Sequence, residues 1–432
     1  MAKHLFCDGT TRRDFLKVGG LAGIGISMAD WLALSSAGAI ADAKAKSAIF
    51  VRMGGGPSHM DTFDLKPDAP DTHRGEFKPI ATNADGVQIC EHMPKLAKCA
   101  DKFAVLRGVS HTLAAHELGT LYMGTGNRPI PSLRFPTYGS VVSKEFGGAP
   151  DMPPFVSMGG TINFPNGYLG VEYGPFETGS QPQMGQAMEV RALSLRNGVT
   201  LEDVERRDNL VKKYDAAFGD FAYQDKLLAG MDQFGQKAYA MLRSEKARQA
   251  FNLRAESAEI AGMFGRDQFS ASCLLATRLV ENGVRFVTVQ IGGWDTHSNN
   301  FSSLKDRLLP QLDAGLSGLF SALAAKGLLA STSVFVTGEF GRTPKINQRG
   351  GRDHYPRAMT CLLGGGGMKG GQVVGESDAK GEGPKDRVIT PDDVAATFYK
   401  SIGIDPAKEY NTPSGRPVMI VRNGKPIPEI IG

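Results

Sequence analysis

The chain has 432 residues and a net charge of +4, with 22% charged and 41% hydrophobic residues. These values are typical of a globular protein and exclude a largely disordered one. The small net charge and the absence of a dense Lys/Arg run with interleaved aromatic residues argue against nucleic-acid binding. Glycine is unusually frequent, with 54 residues. Many of these lie beside His, Asp and Arg, a pattern typical of active-site loops.

The first 41 residues have the three parts of an export signal in the expected order. Residues 11–17 (TRRDFLK) match a twin-arginine signal, a weakly apolar stretch follows over residues 18–34, and residues 39–41 (AIA) are a predicted cleavage site. The alternative interpretation is an ordinary amphipathic first helix. Several glycines and Asp30 interrupt the apolar stretch, so we predict no stable membrane span after cleavage. We expect the twin-arginine translocase to export the folded chain to the periplasm or the extracellular space.

Short apolar runs rich in β-branched residues alternate with helical patterns in the mature chain. This alternation predicts a doubly wound α/β fold, with a mostly parallel sheet between helices. The predicted strands are residues 48–51, 284–291, 333–337 and 359–363. The predicted helices are residues 269–282, 304–327 and 391–402, the last with Thr390 as N-cap and Pro391 at its first position.

The segment 150–265 lacks this alternation. Residues 150–198 are rich in Pro, Gly and aromatic residues without a clear period, and residues 200–265 are charged and helical in pattern. We therefore predict one domain over residues 42–432, in which 150–265 is an insertion or a cap over one end of the sheet.

The cysteines lie at positions 7, 90, 99, 273 and 361, without CxxC spacing. This spacing argues against a zinc ribbon, and nothing in it resembles a haem or iron–sulfur site. In an oxidising compartment Cys90 and Cys99 pair, or both remain buried free thiols; the sequence leaves both possibilities open.

Polar side chains follow each of the three strongest predicted strands. The first strand is followed by His59 and Asp61, the second by Asp295 and His297, and the third by Glu339, with His354 a little later. Ligands of open α/β sheets bind at the carboxyl ends of the strands, so we expect these side chains to meet there.

The spacing of the acids and imidazoles in these segments is typical of metal ligands. In an extended segment, residues two apart point the same way, so Asp295 and His297 can face one cation. The alternative is that Asp295 caps a helix while His297 packs or forms a hydrogen bond. We predict a site for one or two divalent ions, Zn²⁺ first, with Mn²⁺, Mg²⁺ or Ca²⁺ as alternatives. Its predicted ligands are His59, Asp61, Asp295, His297, Glu339 and His354.

The segment 110–127 contains hydroxyls, two histidines and a glycine-rich turn. A hydroxyl beside a metal is activated as a nucleophile, so Ser110, Thr112 and His116 are candidate catalytic residues. The alternative is a helix with Ser110 or Thr112 as its N-cap. A further candidate, Arg342, matches the geometry of phosphate or sulfate oxygens, and its alternative is a solvated loop charge.

The glycine-rich run over residues 364–371 (GGGGMKGG) is not a phosphate-binding P-loop, because it lacks the Gly-Lys-Ser/Thr ending. We interpret it as a flexible hairpin or an active-site loop.

Together these motifs resemble the domain-of-unknown-function family 1501. The resemblance rests on GGGPSHMDTFDLKP, HxxGxxYMGTGN, GGWDTH, GEFGRTPKIN, GRDHYP and GGGGMKGGQVVGESD, and it covers nearly the whole chain. That family is similar to the alkaline phosphatase and sulfatase superfamily, which implies a central sheet with a one- or two-metal site. The resemblance implies that Asp61, Asp295, His297 and His354 are metal ligands. The pair Glu339-Phe340 departs from the expected Asp-His pair, and no sulfatase-type Cys-x-Pro-x-Arg run is present.

These features favour an exported metal-dependent hydrolase of phosphate or sulfate esters. Its expected partner is a phosphorylated or sulfated small molecule or glycan. The alternative is a non-catalytic envelope or polysaccharide-binding protein on a degraded hydrolase scaffold, since a fold does not fix a function.

Overall fold

The structure is a computed structural model. It describes residues 45–431, apart from residues 161, 164, 189, 191–202, 204, 205 and 207–239. The predicted twin-arginine signal, residues 1–41, lies outside the described residues.

An eight-stranded sheet forms the centre of the fold, with strand order β12-β4-β11-β8-β1-β7-β5-β6. Its strands and those of three small two-stranded sheets are β1 (Ser47–Met53), β2 (Pro79–Ala81), β3 (Gln88–Cys90), β4 (Phe103–Val109), β5 (Phe155–Met158), β6 (Phe176–Glu177), β7 (Phe286–Ile291), β8 (Thr332–Thr337), β9 (Gly341–Arg342), β10 (His354–Tyr355), β11 (Met359–Gly365), β12 (Gln372–Val374), β13 (Glu409–Asn411) and β14 (Pro417–Met419). Among the described strands of the large sheet, only β11 runs antiparallel to its neighbours. The predicted mostly parallel sheet is confirmed.

The longer helices described are α1 (His116–Thr125), α2 (Tyr138–Phe146), α3 (Gln268–Glu281), α4 (Leu309–Ala325) and α5 (Pro391–Ser401). Shorter α-helical segments are Asp71–Arg74, Glu245–Ala250, Ala258–Ala261 and Asn300–Ser303. The remaining helical turns are His59–Asp61, Leu96–Lys102, Val171–Tyr173, Leu253–Ala255, Leu304–Leu308 and Leu329–Ser331. All three helices predicted from the sequence are present, and α5 begins as predicted: Thr390 and Asp393 form a capping box.

Helices cover both faces of the sheet because its central strands are apolar on both sides. Along β1, Ile49 and Val51 belong to a core cluster with α3 and α4, whereas Ala48 and Phe50 belong to a second cluster with α2 and α5. This division follows from the two-residue period of a strand. Two buried faces explain why the strands are continuous apolar runs in the sequence.

The continuous helical stretch Asn300–Ala325 is long and apolar enough to cross a membrane. However, 72% of its most apolar window is buried inside the protein, where α4 packs against α3. It is therefore the core helix that covers one face of the sheet.

The segment 150–265 contributes directly to the sheet. Within it, β5 pairs in parallel with β7, and β6 pairs in parallel with β5, so these two strands extend one edge. The first described part of this segment, which contains β5 and β6, therefore forms an edge of the sheet and does not cap its end. Much of the predicted helical part lies outside the described residues.

Two other predictions concern segments away from the carboxyl ends of the central strands. The four described cysteines, Cys90, Cys99, Cys273 and Cys361, are buried and free. The glycine-rich run begins in β11 and leads to β12, on the far side of β4. Gly365 pairs with Ser333 near the start of β8, so this loop lies at the opposite end of the sheet from the predicted site.

Candidate metal centre

The central strands β8, β1 and β7 are parallel neighbours, so their carboxyl ends form one edge of the sheet. The loops that follow them approach each other closely at this edge. Gly55 has a φ of +116°, and a Cβ atom there would lie 2.3 Å from the backbone nitrogen of Asp295. Only glycine fits this contact. The glycines after β1 therefore let its loop pack directly under Asp295.

Three imidazole rings surround the carboxylate of Asp295. The Nε2 atoms of His297 and His354 each lie 3.1 Å from its Oδ1 atom, and the Nε2 atom of His116 lies 3.4 Å from its Oδ2 atom. The side chain of Asp295 is 44% exposed, so the cluster opens to solvent on one side. The cluster therefore combines one accessible carboxylate with three imidazole nitrogens.

The other ring nitrogen of each histidine, Nδ1, forms a hydrogen bond with an oxygen atom. Nδ1 of His116 lies 2.7 Å from Oε1 of Glu339, Nδ1 of His297 lies 2.6 Å from Oδ1 of Asp353, and Nδ1 of His354 lies 2.8 Å from the carbonyl oxygen of Ala114. Carboxylates and carbonyls are acceptors, so each Nδ1 is the donor. In the neutral imidazole this arrangement leaves the lone pair on Nε2, facing the cluster. Metal-binding histidines have such partners.

A divalent cation fits this donor set. With Nδ1 carrying the proton, the three Nε2 atoms and the carboxylate are all acceptors, and they face one another without a donor between them. Ligand atoms of His116, Asp295 and His354 lie within 4.8 Å of one another, and Nε2 of His297 is 3.0 Å from that of His354. His116, Asp295 and His354 form a ligand group that suits Zn²⁺ and similar transition metals, and His297 lies beside it.

On its buried side, Asp295 is bound by Arg342, whose side chain is 0% exposed. The guanidinium donates to Asp295 and to the carbonyl oxygens of Gly55, Gly56 and Arg352. Partial burial alone would raise the pKa of Asp295, but the hydrogen bond and the positive charge of Arg342 act in the opposite direction, and the pKa is held well below its usual value. Arg342 thus keeps this ligand ionised and oriented.

Glu339 and Phe340 form the wall behind His116. Oε1 of Glu339 accepts from the backbone nitrogen of Gly55 at 2.8 Å as well as from His116, whereas its Oε2 atom is buried without a hydrogen-bond partner. The ring of Phe340 packs 5.1 Å from His116 and 4.5 Å from His354, measured between centroids. Glu339, predicted as a metal ligand, therefore orients an imidazole.

Comparison with known proteins identifies the family. Residues 45–431 match the family described as "Protein of unknown function (DUF1501)". The chain belongs to this family. Among curated proteins, none matches it.

Solved structures similar to this DUF1501 chain include a sulfatase and a lipoteichoic acid synthase. PsFucS1 sulfatase from Pseudoalteromonas sp. has 13% identity and a TM-score of 0.37, and the match covers 83% of this chain and 68% of that chain. The lipoteichoic acid synthase LtaP from Listeria monocytogenes has 12% identity and a TM-score of 0.34, with 87% and 74% covered. Ps i-CgsB has 11% identity and a TM-score of 0.35, with 83% and 72% covered. At these values the likeness carries no argument about chemistry.

Besides Glu339, two predicted ligands of this DUF1501 chain lie outside the cluster. Asp61 is fully buried, and both of its oxygens accept hydrogen bonds from Arg352, at 2.7 and 3.0 Å, while Asn300 adds a third at 2.9 Å. His59 is also buried, and its Nε2 atom lies 2.9 Å from the carbonyl oxygen of Gly381. The carboxylate of Asp61 is thus fully hydrogen-bonded within the protein, whereas the Nδ1 atom of His59 is buried without a hydrogen-bond partner.

The candidate nucleophiles Ser110 and Thr112 make contacts with residues outside the cluster. Thr112 is exposed, and its hydroxyl accepts a hydrogen bond from Arg128 at 2.9 Å. Ser110 lies at the end of β4, where its backbone nitrogen donates to Ile389. The helix of this segment begins at His116, with Ala115 as the N-cap, so the alternative N-caps at Ser110 and Thr112 are wrong.

Two residues of the cluster have contacts that the sequence analysis did not predict. His116, predicted as catalytic, faces Asp295 as a ligand would, and Asp353 orients His297. The position of His116 could have been inferred from Gly119, which lies one helical turn later. A Cβ atom at Gly119 would lie 2.8 Å from the carbonyl oxygen of Glu339. A small residue there lets the helix approach the end of β8.

Proposed function

We propose that this chain is a metal-dependent hydrolase of phosphate or sulfate esters that acts outside the cytoplasmic membrane. The observation that supports this proposal best is the convergence of three Nε2 atoms on Asp295, each ring with its Nδ1 atom bound to an oxygen. Four acceptors in one open cluster suit a cation with room for a substrate.

The proposed ligands of one divalent ion are His116, Asp295, His297 and His354. Such an ion, when bound, polarises an ester oxygen and lowers the pKa of water. The chain itself holds the ligands in place: Arg342 orients the carboxylate, and Glu339 and Asp353 orient two of the rings. A single ion is favoured because the oxygens of Asp61, which was also predicted as a ligand, are occupied by Arg352.

Recognition of an anionic substrate needs a cation at the open side of the cluster. Arg342 and Arg352 are buried and bound to protein oxygens, so they do not serve this purpose. Arg307 is exposed, and its guanidinium lies against Gly293, two residues before Asp295. We therefore assign substrate binding to Arg307, since a guanidinium matches phosphate and sulfate oxygens.

The first test is elemental analysis of the purified protein after loading with Zn²⁺ or Mn²⁺. We expect about one equivalent of metal in the wild type, and its loss in Asp295→Ala and His354→Ala. His92→Ala is the matched control, because this imidazole packs against Phe77 instead of the cluster. Full metal content in Asp295→Ala would contradict the site.

The second test is hydrolysis of a panel of phosphate and sulfate esters by the metal-loaded protein. Activity lost in Asp295→Ala and reduced through a higher KM in Arg307→Ala supports the proposal. Stoichiometric metal without turnover of any ester would favour the alternative of a non-catalytic glycan-binding protein.

Export is tested by replacing Arg12 and Arg13 together with lysine. The proposal requires the wild-type chain to reach the periplasm or the medium, and the double variant to remain in the cytoplasm. Equal export of both chains would contradict the twin-arginine route.

A further inference from the structure

Arg52 lies at the end of β1, where the register of the sheet places it opposite Gln290 of β7. Its side chain is half-buried. Among the described residues it forms one hydrogen bond, from Nη2 to Oε1 of Gln290 at 2.5 Å, and no ion pair. A guanidinium has five N–H donors, so most of those of Arg52 remain available. A positive charge that is partly removed from water without a counter-ion is costly, and an anion that binds there reduces this cost.

Arg52 is linked to the metal cluster through two neighbours. Gly55 follows it by three residues, which span at most about 11 Å, and a Cβ atom at Gly55 would lie 2.3 Å from the backbone nitrogen of Asp295. Glu339 is the second neighbour: its Oε1 atom lies 2.7 Å from Nδ1 of His116, and its negative charge acts on Arg52. Burial lowers the pKa of Arg52, and the charge of Glu339 opposes this shift. One extended molecule can therefore contact both Arg52 and the cluster.

The side chain of Arg52 lies on the same face of the sheet as helix α1. Alternate residues of a strand share a face, so Arg52 lies on the face of Phe50, whose core cluster includes residues of α1 and α2. Arg52 and Gly124 of α1 line one small pocket. The same helix begins at His116 in the cluster. Helix α1 thus runs from the cluster towards Arg52, and both places border the same side of the carboxyl edge.

The surface beside Gln290 is open, because glycines follow the neighbouring strands. Gly292 and Gly160 are exposed. Apart from chain neighbours, a Cβ atom at Gly292 would meet nothing within 4 Å, and one at Gly160 would meet Oε1 of Gln290 at 3.7 Å. Beyond them lies a polar cavity of about 200 Å³ at the carboxyl ends of β5 and β6, with Glu177 in its lining. The carboxylate of Glu177 disfavours an anion inside this cavity, so the position suited to an anion is the one beside Arg52.

We propose that Arg52, together with the amide of Gln290, binds a second anionic group of the substrate, such as another phosphate or sulfate group. The inference rests on the proposed function for the first group, which lies at the metal cluster beside Arg307. The planar fork of a guanidinium matches the oxygens of either kind of group. The substrate class therefore narrows to esters that carry at least two anionic groups.

The test uses ligands that do not hydrolyse and that differ in one terminal charge. Ethane, butane and hexane diphosphonates are each compared with the hydroxyalkylphosphonate of the same length, by calorimetry on the zinc-loaded protein. For at least one length we expect the diphosphonate to bind roughly tenfold more tightly, because a hydrogen-bonded ion pair replaces a neutral contact. Arg52→Met should abolish this difference. Arg52→Lys, which keeps the charge but not the fork, should retain part of it.

Three controls separate a direct contact from an indirect effect. Arg416→Met removes the same charge from the exposed turn between β13 and β14 and should keep the preference for the diphosphonate. Elemental analysis after each titration establishes that zinc remains bound, and thermal unfolding establishes that each variant is folded. A folded Arg52→Met protein that has lost its zinc would show that Arg52 acts through Glu339 and His116, and would overturn the inference.

Failure of this inference differs from failure of the proposed function. If the wild type binds methylphosphonate but prefers no diphosphonate, the second anion site is absent and the metal chemistry stands. A preference that persists in Arg52→Met also overturns the assignment. Binding of a diphosphonate without zinc, lost in Arg52→Met, would support the anion site and remove support for the hydrolase. If no phosphonate binds with or without zinc, both proposals are wrong.

Discussion

His297 and His354 face each other through their Nε2 atoms, which are 3.0 Å apart. Each ring has its Nδ1 atom bound to an oxygen, of Asp353 and Ala114 respectively. Two neutral rings so arranged direct their lone pairs at one another, and Asp295 adds a carboxylate at 3.1 Å from both. A cation or an extra proton is needed to stabilise this contact. The arrangement therefore calls for a positive charge, and we propose that a divalent metal supplies it.

The hydrogen bond from His297 to Asp353 should strengthen metal binding. We predict that Asp353→Ala lowers the affinity for Zn²⁺ by roughly 10–100-fold, the range typical of such outer partners. Asp353→Asn keeps an acceptor oxygen and should lose less. The measurement is competition for Zn²⁺ with a chromogenic chelator, with the exposed Asp306→Ala as the control. Equal affinities of Asp353→Ala and the wild type would show that Asp353 does not orient a ligand.

Arg342 should matter for folding as well as for the site. Arg342→Ala leaves Asp295 without its buried partner and removes donors from three backbone carbonyls. Because Asp295 is 44% exposed, the main loss is that of the carbonyl donors, and we predict that the free energy of unfolding falls by roughly 1–3 kcal/mol. Arg349→Ala, an exposed arginine in the same region, should change it by less than about 0.5 kcal/mol. A stable Arg342→Ala protein with only a raised KM would restore the oxyanion role predicted from the sequence.

The sequence predicted the edge of the sheet at which the site lies, because strand ends and glycine-rich loops are local features. Asp295, His297 and His354 are brought together there as expected. The ion pair that occupies Asp61 could not be predicted from local spacing, since its partner Arg352 is 291 residues away in the chain. The same limit applies to His116, whose position depends on how α1 packs against Glu339. Local spacing identifies candidate ligands, whereas long-range ion pairing decides which of them remain available.

The buried pair of Asp61 and Arg352 gives a prediction that separates structure from metal binding. Asp61→Ala leaves the guanidinium of Arg352 buried and uncompensated, so we expect a loss of roughly 3–5 kcal/mol in the free energy of unfolding. Adding Arg352→Met should recover part of this loss, because no buried charge then remains unpaired. Chemical denaturation of the single and double variants measures both effects. We also expect the folded double variant to bind about one equivalent of Zn²⁺; loss of metal from it would restore Asp61 as a ligand.

His111 should make the stability of the protein depend on pH. Burial lowers the pKa of this imidazole to about 4, although its hydrogen bond to the carbonyl oxygen of Glu339 acts in the opposite direction. The unfolded chain, in which the pKa of histidine is about 6.5, binds this proton more readily. Stability from His111 is therefore fully present above pH 6.5 and is lost as the pH falls towards 4, by about 3 kcal/mol in total. We predict that His111→Gln flattens the unfolding free energy across this pH window relative to the wild type. Parallel urea denaturation curves at pH 4.5 and 7 measure the difference, and an identical pH dependence in both proteins would show that His111 does not titrate on unfolding.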